Sequence, residues 1–333
     1  MSNPFPRVSV LLPVHNGEKF IGRAVQSILE QSFDDLELVI VDNGSTDNTS
    51  LQIQQFNDHR VKYFSLEEAN LVRALNFGLK KCNGEFIARM DADDYSHPKR
   101  LELQIDFLQK NPTYSAVSGL VKYVGNKERN LGYWHYVHWA NSKLSYEEIF
   151  FSRFQESSLP HPTLLFHKSL IDQFGIYQSN CPEDFELWNR WMAHGIKIGK
   201  VPEVILDWHD PPNRLSRTHQ NYAQESFSKV KARYFAIWFH AQFKQQKPDI
   251  YVFGFGKIVK KKTRFLTEEG LKIHSFVDVI DRPKSGCIHY LRLPEIKNKF
   301  VLSYVADRHG KEKIKDYLIK IEMVEGKDFY IME

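Results

Sequence analysis

A chain of 333 residues with 42% hydrophobic and 14% aromatic side chains has apolar surface for about two domain cores, which excludes wholesale disorder. Its 45 Lys and Arg against 41 Asp and Glu leave a net +4, too mild and too dispersed to point to nucleic acid. No run of about 18 apolar residues offers a membrane-spanning helix, the first residues lack a secretory pattern, and three scattered cysteines, Cys82, Cys181 and Cys287, fit a reducing cytosol.

The first hundred residues alternate strand and helix signals. Residues 8–14 are a short apolar run, as a strand covered on both faces requires. Phe20, Ala24 and Ile28 recur at helical spacing through residue 31, and a second strand over 36–41 ends at Asp42. Turn and cap residues over 43–49 open a helix carrying Leu51, Ile53 and Phe56. A third strand is expected over 61–66, then a helix with Leu71, Ala74, Leu75 and Leu79 stopped by Asn83-Gly84, then a fourth strand over 85–90. Such alternation predicts a mostly parallel sheet sandwiched by helices, with ligands at the carboxyl ends of its strands.

From residue 112 the signal is mixed. An aromatic-rich stretch fills 133–139, and helices are expected over 146–154, 169–174 and after Cys181. One long helix over 222–247 closes the first domain at the Lys247-Pro248 step. Its apolar side, with Phe227, Tyr234 and Trp238, and its basic rim, with Lys229, Lys231 and Arg233, fit either docking on the catalytic domain or an anionic membrane surface. A second alternation predicts a small α/β domain over 248–333, with strands at 250–253, 273–277, 300–306 and 328–331 and helices at 258–269 and 311–320.

The chemistry-bearing residues cluster at expected strand ends. Asp91 and Asp93, two apart on a strand, are expected to project the same way. Their repulsion is relieved by a hard cation, Mg²⁺ or Mn²⁺, that also takes phosphate oxygens; a solvated acidic turn is the alternative. Asp42 suits the imide N–H of a pyrimidine, or an Asx turn. Pro13, Val14 and Asn16 suit a base held against backbone, or an ordinary connection. Glu183 and Asp184 open a helix whose free N–H groups favour the anion a general base needs, or they simply cap it.

Pro13-Val14-His15-Asn16, Val41-Asp42-Asn43-Gly44-Ser45-Thr46-Asp47, Asn83-Gly84-Glu85 and Met90-Asp91-Ala92-Asp93-Asp94 follow one another in order. So do His161-Pro162-Thr163, Glu183-Asp184 and Leu187-Trp188. Over roughly residues 7–240 this series resembles the family 2 inverting glycosyltransferases of the GT-A fold, in a bacterial type with a small C-terminal Rossmann-like appendage. The resemblance implies metal-dependent, non-processive transfer of a hexose from a nucleotide sugar, by family default a UDP-sugar, to a hydroxyl of a glycan or lipid-linked acceptor in surface polysaccharide or glycoconjugate synthesis. It implies donor contacts from Pro13, Val14, Asn16, Asp42, Arg73, Asp91, Ala92 and Asp93, and a Mg²⁺ or Mn²⁺ site of Asp91, Asp93 and His209. Asp184, with Glu183, would be catalytic, and one catalytic carboxylate suffices for inversion. Trp134, His161, Trp188 and Arg214 would meet the acceptor. The segment 207–216 resembles a loop that closes over a diphosphate. A place in the cytoplasm at the inner membrane face and a homodimer fit the same picture.

Three other readings compete. A sugar nucleotidyltransferase usually shows a Gly-rich, Arg-containing loop, and residues 10–17 have none. A non-catalytic nucleotide- or carbohydrate-binding protein would not need Asp91, Asp93 and Asp184 together. A dinucleotide-dependent oxidoreductase would need a third glycine after Gly254-Phe255-Gly256, where Val259 stands.

Overall fold

The apolar run Val8–Val14 (β1) is buried along its whole length in the computed structural model, which describes residues 5–211, 214, 217 and 219–333. Parallel neighbours explain this burial. Leu36–Asn43 (β2) lies on one side, followed outward by Val61–Leu66 (β3), and Phe86–Arg89 (β4) lies on the other. The sheet continues through Tyr95–Ser96 (β5), Tyr114–Val124 (β6), Leu165–His167 (β7) and Lys197–His209 (β8), in the order β3-β2-β1-β4-β7-β6-β8-β5. β7 runs antiparallel to β4 and β6, and β5 antiparallel to β8. Helix Ile21–Leu29 packs Ile21, Ala24, Val25 and Ile28 into the core with Val8, Val10 and Leu12. Helix Leu71–Lys81 lies so close to the other face that a Cβ on Gly78 would stand 2.2 Å from Leu11 Cδ1, so only glycine fits there.

This sheet belongs to one compact unit, Met1–Ile149 with Ser158–Thr218; Phe150–Ser157 and His219–Glu333 form a second. The second unit holds five parallel strands: Asp249–Phe253 (β9), Ile273–Asp278 (β10), Cys287–His289 (β11), Lys299–Ser303 (β12) and Phe329–Ile331 (β13). Their order, β11-β10-β9-β12-β13, starts in the middle and reverses between β9 and β12, as in doubly wound Rossmann-type sheets. Gly254 adopts φ +99°, a value suited to glycine, but Val259 packs back against that turn. Asp278 accepts from Val279 N at 2.7 Å and pairs with Arg282 at 3.5 Å. Its own loop therefore occupies the carboxylate that a dinucleotide ribose would need.

The long helix ends at Gln242 and belongs to this second unit, whereas the sequence reading has it closing the first domain at residue 247. Phe235 and Phe239 are buried against Phe300, ring centroids 5.9 and 5.5 Å away, and Trp238 meets Tyr330 at 4.9 Å. Lys231 donates to Gln155 O at 2.7 Å and Met332 O at 3.2 Å. The apolar side of the helix is thus a core face rather than a membrane face. A chain cut after Lys247 would uncover rings that each contribute about 1.5–3 kcal/mol by burial. It is expected to aggregate without a cooperative calorimetric transition; a sharp, reversible melt would contradict this packing.

Candidate active site

All the residues of interest lie in the first unit, and the loops after β1, β2 and β4 carry many of them. The register pairs Val14 with Asp42, so the loops after β1 and β2 leave the sheet side by side. They are stitched together. Asn16, at φ +52°, donates its N–H to Ser45 Oγ at 2.9 Å, and its Oδ1 accepts from Thr46 N at 2.8 Å. His15 Nδ1 donates to Asn43 O at 2.9 Å, so its Nε2 accepts from Asn16 Nδ2 at 3.2 Å. Asp42 is 3% exposed and accepts from Ser45 N at 2.9 Å and Tyr63 OH at 3.0 Å. The Asx-turn reading is therefore realised, and each carboxylate oxygen keeps a second lone pair. Pro13 and Val14 form a buried floor. Arg73 stands exposed in the first turn of helix Leu71–Lys81, paired with Glu68 at 3.3 Å, a surface pair of little energetic consequence.

Asp91, Asp93 and Asp94 form a turn just beyond β4. The expectation of two aspartates alternating along a strand needs correction, because the strand ends at Arg89 and Asp94 N turns back to Asp91 O at 3.4 Å. The turn gathers three carboxylates instead of two, with ligand oxygens all within 4.8 Å of one another. Burial, then repulsion from Asp91, pushes Asp93 up to about 6; burial, then Asp93 and Asp91, raises Asp94 well above the carboxylate range. Asp94 Oδ1 accepts from His209 N at 2.8 Å, while its buried Oδ2 has no hydrogen-bond partner among the described residues. A buried carboxyl oxygen without such a partner beside two further carboxylates suits a hard divalent cation, which would favour the ionised form of all three.

β8 supplies the surroundings of this turn through its antiparallel pairing with β5, which sets Asp207 opposite Tyr95. His209 meets Asp94 through its main chain. Its ring Nδ1 faces Asp207 O at 3.3 Å and does not join the three-carboxylate cluster, so Asp94 stands where His209 was expected. Arg214 lies over the rings of Tyr133 and Trp208, at 4.9 and 4.6 Å, and donates to His209 O at 3.1 Å. Burial works against its charge, but Tyr133, Asp94, Asp91 and Asp93 hold the guanidinium protonated. Of the expected closing segment, Pro212, Asn213, Leu215 and Ser216 lie outside the described residues.

Arg89 links this turn to helix Glu183–Ala193. It occupies a wholly buried strand, donates from Nη2 to Asp91 Oδ1 at 2.6 Å and from Nη1 to Met90 O, and feels the charges of Tyr177 and Glu183. His161 completes the group. Its Nε2 meets Tyr177 OH at 3.0 Å and its Nδ1 lies 4.0 Å from Glu183 Oε1; burial, then Arg89, keeps the ring neutral. Glu183 is 2% exposed, whereas Asp184 is partly open and accepts from Phe185 N at 2.6 Å. Burial raises Asp184 to about 6, and Asp91 adds to the rise while Arg89 opposes it. Asp184 therefore shares one electrostatic field with the acidic turn.

The four residues expected at the acceptor divide. Arg214 joins the acidic turn. His161 and Trp188 are 8% and 1% exposed and pack edge to face at 5.5 Å, so they support the helix start from within the core and cannot offer an open platform. Trp134 carries Lys127 Nζ 3.9 Å above its ring; Tyr133 and Tyr136 are the residues of helix Leu131–Asn141 that contact Trp208. Ala92 lies within the acidic turn, half-buried. Sequence reasoning missed Arg89 and the part of Asp94 in the cluster. A charged residue inside a four-residue buried strand was the available signal for the first.

The mixed sheet of the first unit, with helices on both faces, has the GT-A arrangement that the sequence predicts. Residues 9–175 match the family described as glycosyl transferase family 2. The O-antigen biosynthesis glycosyltransferase WbnJ of Escherichia coli is 34% identical over 227 residues, covering 66% of this chain and 82% of the relative. A UDP-Gal:alpha-D-GlcNAc-diphosphoundecaprenol beta-1,3-galactosyltransferase of E. coli is 28% identical over 240 residues, covering 70% and 84%. Among solved structures, S. aureus TarS residues 1–349 with UDP-GlcNAc aligns at TM-score 0.55 and 18% identity, covering 79% of this chain and 71% of that one. A mannosyltransferase of Pyrobaculum calidifontis with GDP-Man and Mn²⁺ aligns at 0.51 and 19%, covering 81% and 70%. The chain belongs to glycosyl transferase family 2.

Proposed function

We propose that the protein moves a hexose from a UDP-sugar to a hydroxyl of a lipid-linked glycan, with inversion and without processivity, at the cytoplasmic face of the membrane during surface polysaccharide synthesis. The observation that carries this reading is the gathering of the Asp91, Asp93 and Asp94 carboxylates, with Arg89 bonded to Asp91 and with Asp184 within electrostatic reach of Asp91. Asp42 lies near the end of β2 and Asp91 two residues beyond β4, and these strands flank β1. The strands that lead to them are therefore about 10 Å, two strand spacings, apart, enough for a nucleoside between base and diphosphate. Names of relatives support the chemistry: WbnJ is named for O-antigen biosynthesis, and the galactosyltransferase for UDP-Gal and a diphosphoundecaprenol acceptor. Among the described residues no helix is long and apolar enough to cross a membrane.

Each residue has a physical task in this reading. Asp42, above the Pro13-Val14 floor and beside Asn16, receives the base. Asp91, Asp93 and Asp94 would hold Mg²⁺ or Mn²⁺, which when bound stabilises the charge of a departing nucleoside diphosphate. Arg214, fixed over Tyr133 and Trp208, adds a positive charge at the same place. Asp184 takes the proton of the acceptor hydroxyl on the far face of the sugar. Arg89, Glu183, His161 and Tyr177 hold Asp184 and Asp91 in mutual register.

The raised carboxyls give a test that needs no substrate. Folded Asp93 and Asp94 retain protons that the unfolded chain loses near pH 4, so their cost to stability builds as pH rises and is complete for Asp93 above about 6. A cation should relieve it. Mn²⁺ at a hundred times its Kd should raise Tm at pH 7.5 by about 5 °C, the order set by about 2.7 kcal/mol of linkage. The gain should vanish at pH 4.5; a pH-independent gain would place the ion elsewhere.

The reaction itself is tested by incubating the full chain with a panel of nucleotide sugars, with Mn²⁺ or Mg²⁺ and a chelator control. Metal-dependent release of nucleoside diphosphate is expected from one UDP-sugar. Release of pyrophosphate from a nucleoside triphosphate and a sugar phosphate would mark a nucleotidyltransferase, and binding without turnover a non-catalytic protein.

A further inference from the structure

The mild net charge hides an uneven division. The second unit, residues 150–157 and 219–333, holds 23 Lys and Arg against 15 Asp and Glu, a net +8, which leaves the first unit at −4. The parallel order β11-β10-β9 brings the segments that follow these three strands to one edge, about 5 Å apart from strand to strand. Four large aliphatic side chains stand in solvent there: Ile258 at 68%, Val279 at 68%, Ile280 at 52% and Leu291 at 59% exposure.

The charges around them are as informative. Lys257 and Lys260, at the start of the helix after β9, and Lys284, in the turn that leads into β11, are exposed, and none of them takes part in the ion pairs found among the described residues. Lys260 instead lies 3.7 Å over the ring of Phe255. Two acids of this edge are paired, Asp278 with Arg282 at 3.5 Å and Asp281 with Arg292 at 2.7 Å. Glu295, at the end of the segment after β11, and Asp307, which caps helix Arg308–Lys320 beside it, are exposed. Ile319 and Val324 are also exposed, but they lie where helix Arg308–Lys320 ends and the chain returns toward β13, in a segment that also carries the carboxylates Glu322 and Glu325.

We infer that the carboxyl edge of the second unit docks on an anionic lipid bilayer. Nucleic acid phosphates would match the lysines but leave the aliphatic side chains in water. A bilayer satisfies both, because branched aliphatic side chains enter the headgroup–acyl boundary while lysines gather in the negative surface potential. Exposed apolar side chains gathered at one sheet edge, with an excess of one sign of charge around them, mark an interaction surface of this kind. The long helix, whose apolar side is core, leaves this edge as the unit's lipid-facing surface. The inference stands on the second unit's surface and holds whether or not the first unit transfers sugar.

The test is co-sedimentation of the full chain with vesicles of phosphatidylcholine alone or mixed with phosphatidylglycerol. The chain should partition onto the anionic vesicles at least about tenfold more strongly than onto neutral ones, and less so at high salt. Lys257→Glu/Lys260→Glu/Lys284→Glu and Ile258→Ser/Val279→Ser/Ile280→Ser should each lose about tenfold or more, with melting curves unchanged. Lys313→Glu/Lys320→Glu, on the helix Arg308–Lys320, should stay within about twofold of the parent. Absence of vesicle binding would overturn the proposal, as would equal losses in the helix variant. Retention of a nucleic acid oligonucleotide in place of vesicles, or an oligomer broken by the serine substitutions without vesicle binding, would overturn it as well.

Discussion

Asp184→Asn is expected to lower the rate of sugar transfer by about 10³-fold while leaving the Kd for the nucleotide sugar within about twofold of the parent. A positioned general base contributes about 10²–10⁴, and an amide of the same shape keeps the acceptor for Phe185 N without taking a proton. The pH profile gives a second reading of the same residue. Burial holds Asp184 near 6, and an acid that must be ionised to act loses activity tenfold per pH unit below that value. The parent should therefore show an acid limb near pH 6 in kcat, and the residual activity of the variant should lack it. Loss of donor affinity in the variant would make Asp184 a structural cap instead.

Asp93→Ala is expected to abolish metal-dependent binding of nucleoside diphosphate and to cut turnover by about 10³-fold, equivalent to about 4 kcal/mol of transition-state stabilisation. Its effect on folding has the opposite sign. Asp93 is raised by burial and by Asp91, so removing its charge at pH 7.5 relieves repulsion, and the metal-free variant should melt no lower than the parent. A stabilised but inactive protein separates a binding role from a structural one. Titration calorimetry with UDP and Mn²⁺, beside a melting curve without metal, reads both effects; unaltered calorimetry would remove the cation from this turn.

β1, β2 and β4 were legible because they are covered on both faces and therefore read as largely apolar runs. The strands of the first sheet beyond β4 were not. β6 and β8 mix Ser118, Gly119, Lys200 and Pro202 among apolar residues, and their register shifts twice around Leu120, so neither period survives. Lys200 reads as a surface residue, yet it is buried and donates to Ala140 O at 2.8 Å and Ser158 O at 2.7 Å. Asp91 and Asp93 were found for a reason the fold replaces: a turn, not strand alternation, sets them together and adds Asp94. Trp188 and His161 were placed at the acceptor through the family resemblance, but a motif carries no record of which of its side chains are buried. The long helix shows its apolar side in the sequence; which sheet it covers depends on Phe300 and Tyr330, some sixty to ninety residues further on.

The most direct test of the central claim, that donor and cation meet at the carboxyl edge of β1, β2 and β4 facing Asp184, is anomalous diffraction at the manganese edge from crystals grown with UDP and Mn²⁺. The expected map shows one peak within bonding distance of carboxylate oxygens of Asp91, Asp93 or Asp94, with the uracil beside Asp42. A manganese peak away from that turn, or a nucleotide on the far side of the sheet, would contradict the account.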